Sequence, residues 1–190
     1  LQVDSGNMRG HNVSIVNICG ENMSFLFLIS LAAGVAWILS RWIKRPLDLR
    51  GAMRWGMGLG FLFTGVDHFA SAASRYAPMI PDALAGHALA WVYFTGAAEL
   101  LGGLGLLVPV AVFRRLGLPN MQRQAGIWLA VMLVCVVAAN INVALKGQTV
   151  QGLDFGAWYF WVRPLFQPVF VAWALYSVGV WPNAASAAKQ

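Results

Sequence analysis

Charge is scarce in this chain. Of 190 residues, 13 are Lys or Arg and 7 are Asp or Glu, so charged side chains make up 11%. A soluble domain carries about 25%, and the shortfall leaves too little polar surface to coat a globule of this length. Cysteine is scarcer still. Cys19 and Cys135 are far apart and form no Cys-x-x-Cys, which argues against a disulfide framework, a zinc site and a dithiol redox motif. Cys135 lies inside an apolar run, where it reads as a small hydrophobe. No internal repeat or low-complexity tract breaks the chain. The "GGLG" at 102–105 is no phosphate loop, because it stands in the middle of an apolar run, where small residues let helices approach closely.

What the chain has in quantity is long apolar runs. Hydrophobic residues make up 59% of it. Runs of about 20 residues recur, the length that crosses about 30 Å of hydrocarbon as a helix. Backbone groups in lipid must be bonded internally, so repeated runs of this kind imply a helix bundle. Five spans are predicted, near 24–41, 53–72, 87–109, 125–145 and 159–180. The expected fold is an all-α membrane protein: a four-helix transmembrane bundle over 52–181, preceded by one extra N-terminal transmembrane helix over 23–45. A polar segment, 1–22, and a short tail, 182–190, flank them.

The net charge of +6 reads as topology rather than nucleic-acid binding. The basic residues gather in two loops, Arg41, Lys44, Arg45, Arg50 and Arg54 against Asp48, and Arg114, Arg115 and Arg123 with no acid. Such loops stay in the cytoplasm. The loops holding Arg75 with Asp82, and Lys146 with Asp154, are near neutral and are expected outside. The N-terminus is then outside and the C-terminus inside. A basic cluster follows the first span and none precedes it, which reads as an uncleaved anchor rather than a signal peptide.

Within the spans, ionisable groups are costly: an acid near a helix centre costs about 2.5–3.5 kcal/mol on insertion scales. The exceptions are Asp67, His68, Glu99 and Arg163, joined by the amides Asn140, Asn142 and Gln167. With the threading above, they fall toward the outer half of the bundle. Gly96 and Gly103 flank Glu99 on its own helical face. Arg163 and Gln167 are four apart and share a face. Asp67 and His68 are about 100° apart on a helix, so His68 is expected to point inward and Asp67 toward the headgroups or Arg75. Taken singly, such groups read as interhelical glue or a snorkelling arginine. Together they read as a pocket, with Glu99 in hydrogen-bond reach of a polar neighbour.

These same residues carry a resemblance. The pattern "GLGFLFTGVDHF…YAPMIPDAL…FTGAAELLGGLGLLVP…RRLG…AGIWLAVMLVCVVAANINVAL…WVRPLFQPVFVAWAL" resembles the DoxX-like family of small bacterial membrane proteins, over about residues 53–178. The matching positions are Gly65, His68-Phe69, Pro81, Glu99, Gly102, Gly103, Pro109, Asn140, Arg163 and Gln167. The resemblance implies a four-helix membrane bundle in the bacterial inner membrane, to which the first span is an addition. Asp67 departs from the amide expected before His-Phe. One branch of that family is linked to a thiosulfate:quinone oxidoreductase as its small membrane subunit, and others to redox-stress complexes.

The functional expectation is therefore a membrane subunit beside the quinone pool. His68, Glu99, Asn140, Arg163 and Gln167 are the expected ligand-binding residues and Glu99 the candidate proton-transfer group. A quinone is the expected ligand in preference to a haem held between His68 and His87, and no metal site is expected. Expected partners are the lipid bilayer and other membrane-complex subunits or a second copy, not nucleic acid. Two other classes stay open: a non-catalytic accessory or assembly subunit, and a small proton-coupled transporter titrating at Glu99.

Overall fold

The structure, a computed structural model, describes residues 25–147, 150 and 157–182. The polar segment 1–22 and the tail beyond Pro182 lie outside the described residues. Regular structure among the described residues is entirely helical. Helix α1 is Phe25–Trp42 and α2 is Leu49–Ala70. A π turn at Ala72–Tyr76 and two 3-10 turns, Ala77–Met79 and Asp82–His87, lead into α3, Ala88–Leu107. The short α4, Val110–Arg115, precedes α5, Met121–Cys135, and α6, Val137–Lys146. Helix α7, Ala157–Val162, passes through a 3-10 turn, Arg163–Phe166, into α8, Gln167–Ser177.

Three helical stretches are long and apolar enough to cross a membrane: Phe25–Trp42, Asp82–Leu107 and Met121–Lys146. They mark the chain as a membrane protein. Helix α2 has the length, at 22 residues, but its five glycines, two arginines and aspartate keep it below that apolarity. The expected span 159–180 is not one helix. Pro164 and Pro168 each lack a backbone donor, and the helix breaks between them into the 3-10 turn. The expected span 125–145 is interrupted once, at Val136, between α5 and α6.

Packing runs in a closed order: α1 on α2, α2 on α3, α3 on α5, α5 on α8, and α8 back on α2. The shared core takes Ile29 from α1, Met57 and Phe61 from α2, Leu106 from α3, Leu129 and Leu133 from α5, and Phe170 and Ala174 from α8. Three hydrogen bonds from two side chains pin the ring near one end. The Gln122 amide of α5 donates to the carbonyls of Leu106 and Val108, at 3.1 and 2.8 Å. The Trp173 indole of α8 donates to the Met53 carbonyl of α2 at 2.9 Å.

The α2–α3 seam is built on paired glycines. A Cβ on Gly65 would stand 3.1 Å from the Gly96 carbonyl oxygen, and one on Gly103 would stand 2.9 Å from that of Gly58. Each helix repeats its glycine after seven residues, close to two turns, so the two antiparallel backbones meet twice along one line. This contact sets how closely the side chains of α2 approach those of α3.

Candidate functional site

The close approach of α2 to α3 decides where His68 and Glu99 meet. A Cβ on Gly96 would fall 2.6 Å from the Cβ of His68, so the missing side chain lets His68 lie across α3. Glu99, one turn further along α3 and 7% exposed, then has Oε2 3.3 Å from His68 Nδ1. Nδ1 also stands 2.9 Å from the Thr64 carbonyl. A carbonyl can only accept, so Nδ1 carries the proton and aims it at Thr64. Glu99 Oε2 is thus at ion-pair range of the imidazole yet has no hydrogen-bond partner among the described residues.

Glu99 lines a cavity with about 160 Å³ of free volume, between α2, α3, α5, α6 and the turn into α8. Its walls are mostly apolar, with Phe61, Val92, Leu133 and Phe170 among them. Asn140 of α6, buried, also lines it. The break between α7 and α8 brings in Arg163 and Gln167. Arg163 has its guanidinium carbon 5.8 Å from the centre of the Tyr159 ring. Its Nη1 and the Oε1 of Gln167 are buried without a hydrogen-bond partner among the described residues. Buried polar atoms in proteins are nearly always satisfied. Three residues that line one apolar cavity each carry such an atom, two acceptors and a donor, a set complementary to a small ligand with polar groups on a ring.

The structure thus places all five sequence-predicted residues, His68, Glu99, Asn140, Arg163 and Gln167, around one cavity. Arg163 and Gln167 reach it through a 3-10 turn rather than along a continuous helical face. Asn142 does not join them: its amide donates to the carbonyls of Met79 and Ile80, at 3.2 and 3.4 Å, and ties α6 to the loop. His87 is exposed at the start of α3, outside the cavity. Asp67 turns away from the cavity and holds the loop. It accepts from Ser71 at 2.9 Å, Tyr76 at 2.7 Å and Arg75 at 2.5 Å.

Sequence reasoning misses Tyr76. Its ring stacks on His68, centroids 3.8 Å apart and planes 20° apart, and it lines the cavity. Burial, and then the adjacent Asp67 carboxylate, push its phenol above the ordinary range, so it stays a donor. The π turn at Ala72–Tyr76 folds it back, and no periodicity signals such a turn. Thr64 and Thr95 also line the cavity unannounced, their hydroxyls donating to carbonyls of their own helices.

No curated protein and no solved structure matches the chain. The family described as a domain of unknown function, DUF8561, matches residues 57–178, a stretch that holds every side chain of the cavity cluster, and the chain belongs to that family.

Proposed function

We propose that the chain is a five-span integral membrane subunit that binds the head of a one-ring quinone and handles its protons within a larger redox complex. On this reading α1 is an added helix outside a four-helix bundle, and the protein is akin to the DoxX-like proteins of the bacterial inner membrane. One observation carries it: Glu99, Arg163 and Gln167 line one mainly apolar cavity, and each holds a buried polar atom with no hydrogen-bond partner among the described residues. Size agrees. An engineered apolar cavity of about 150 Å³ takes up benzene, and this one offers about 160 Å³.

The chemistry follows from donors and acceptors. A quinone carbonyl needs a donor, and Arg163 supplies one. A quinol hydroxyl needs an acceptor, and Glu99 and Gln167 supply two. Reduction consumes two electrons and two protons for each quinone; a redox partner subunit delivers the electrons and Glu99 relays a proton. His68, whose Nδ1–H donates to the Thr64 carbonyl, helps to fix the position of Glu99.

The test measures quinone binding by the purified chain together with quinone-linked turnover and yield of the assembled complex. Glu99→Gln keeps the side-chain shape and is expected to assemble normally while turnover falls about 100-fold or more. Arg163→Ala is expected to weaken quinone binding about 10- to 100-fold, the worth of one hydrogen bond to a charged group. Normal turnover in a fully assembled Glu99→Gln complex would leave the accessory-subunit reading in its place. Glu99-dependent proton uptake into vesicles holding the chain alone would favour the transporter.

A further inference from the structure

Eighteen residues before His68, about 27 Å along α2, a second cavity opens with about 210 Å³ of free volume. The start of α2 lines it with Asp48, Arg50 and Arg54, the entry to α5 with Asn120, Gln122 and Arg123, and the turn after α8 closes it. In the sequence these arginines belong to two separate loops. In the fold three of them share one concavity.

Their charge is not cancelled nearby. Of the four described acidic residues, Asp67 pairs with Arg75, Asp82 with Lys146, and Glu99 with His68. Only Asp48 lines this cavity, and its Oδ1 caps α2 by accepting the Gly51 N–H at 2.8 Å. Three guanidinium groups against one carboxylate leave a surplus of two positive charges. Among the described residues, no carboxylate lies within ion-pair distance of Arg50, Arg54 or Arg123. Arg50 is oriented instead by Tyr176, whose ring centre is 5.0 Å from its guanidinium carbon. Leu49, Leu118, Met121 and Trp181, each within two positions of a lining residue in sequence, are all exposed.

We propose that this cavity is a binding site for the phosphate of an anionic phospholipid headgroup. Guanidinium forks match phosphate oxygens in pairs, and a basic pocket between helix ends with an apolar rim is the setting in which anionic headgroups bind. A phospholipid, unlike a bare phosphate, also has acyl chains for which the exposed apolar side chains nearby in sequence offer contact. The site is independent of the quinone reading.

The test uses the full chain, extracted from nanodiscs of mixed phosphatidylglycerol and phosphatidylcholine, with the retained lipids counted by mass spectrometry. At least tenfold enrichment of phosphatidylglycerol is expected. Combining Arg50→Gln, Arg54→Gln and Arg123→Gln should abolish that enrichment, with the melting temperature in pure phosphatidylcholine unchanged. Because Arg123 is exposed, Arg123→Gln alone should fold and lower the enrichment several-fold. Added salt should weaken retention in wild type. Arg114→Gln with Arg115→Gln, outside the cavity, should leave retention intact. Equal retention of the two lipids, or an enrichment indifferent to Arg123→Gln, overturns the proposal. So does an equal loss in the Arg114, Arg115 control, which would mean diffuse surface charge. Inorganic phosphate that binds the chain in phosphatidylcholine as tightly as phosphatidylglycerol does would make free phosphate the ligand and overturn the lipid assignment.

Discussion

Glu99 has His68 at ion-pair range and an Oε2 with no hydrogen-bond partner among the described residues. A carboxylate that only joined two helices would have both oxygens satisfied by them, since an unpartnered buried acceptor costs about 1–3 kcal/mol. Instead the His68 Nδ1–H donates to the Thr64 carbonyl, and Glu99 Oε2 has no hydrogen-bond partner among the described residues. The residue behind this pair is Tyr76, which faces His68 with its ring and Asp67 with its hydroxyl. Tyr76→Phe keeps the stack and removes the hydroxyl, so it is expected to cost about 0.5–1.5 kcal/mol, read as a drop in melting temperature in detergent. The pH dependence has a definite sign. The folded phenol titrates above its unfolded value of about 10, so the stabilisation it gives is present below that value and is lost as pH climbs past it. Wild type should lose stability above pH 10 relative to Tyr76→Phe, and parallel stability profiles for the two would show that the phenol is not held neutral.

At the scale of elements, the site rests on a seam and a break. The seam is the glycine line between α2 and α3. Gly96→Ala puts a methyl 2.6 Å from the Cβ of His68, and neither backbone can yield without opening the Gly65–Gly96 contact. A cost of about 1–3 kcal/mol is expected, with loss of quinone binding even where the variant still folds. Retained binding at wild-type affinity would mean that the His68–Glu99 approach is not what the seam sets. The positions of Glu99, Gly96 and Gly103 on one face are legible in the sequence, because helical spacing fixes them. The opposing line of Gly58 and Gly65 is not, since it depends on the antiparallel register of α2. The break is the reverse case. Pro164 and Pro168 stand in plain view, yet the apolar composition of 159–180 reads as one span. Only the packed structure shows that the interruption turns Arg163 and Gln167 into the cavity. Tyr76 is illegible for a third reason: a π turn has no pattern in side-chain hydropathy.

At the scale of the molecule, the two ends of the helix array differ in how they treat charge. At the end of α2 that carries His68, two loop cations are paired, Arg75 with Asp67 and Lys146 with Asp82, each at 2.5 Å. At the opposite end Arg50, Arg54 and Arg123 share a cavity with Asp48 alone, and Arg41, Lys44, Arg45, Arg114 and Arg115 lie in the adjoining segments. Loops retained in the cytoplasm carry the excess of Lys and Arg. The expected arrangement therefore has the paired end outside and the arginine end in the cytoplasm. It can be read from two exposed positions, Leu84 between α2 and α3 and Leu118 between α4 and α5, each changed to cysteine in a chain whose own two cysteines are replaced. In intact cells a membrane-impermeant maleimide should label Leu84→Cys at once and Leu118→Cys only after permeabilisation. Labelling of Leu118→Cys from outside would invert the chain, place the arginine cavity on the outer face, and set the cavity lined by Glu99 toward the cytoplasm.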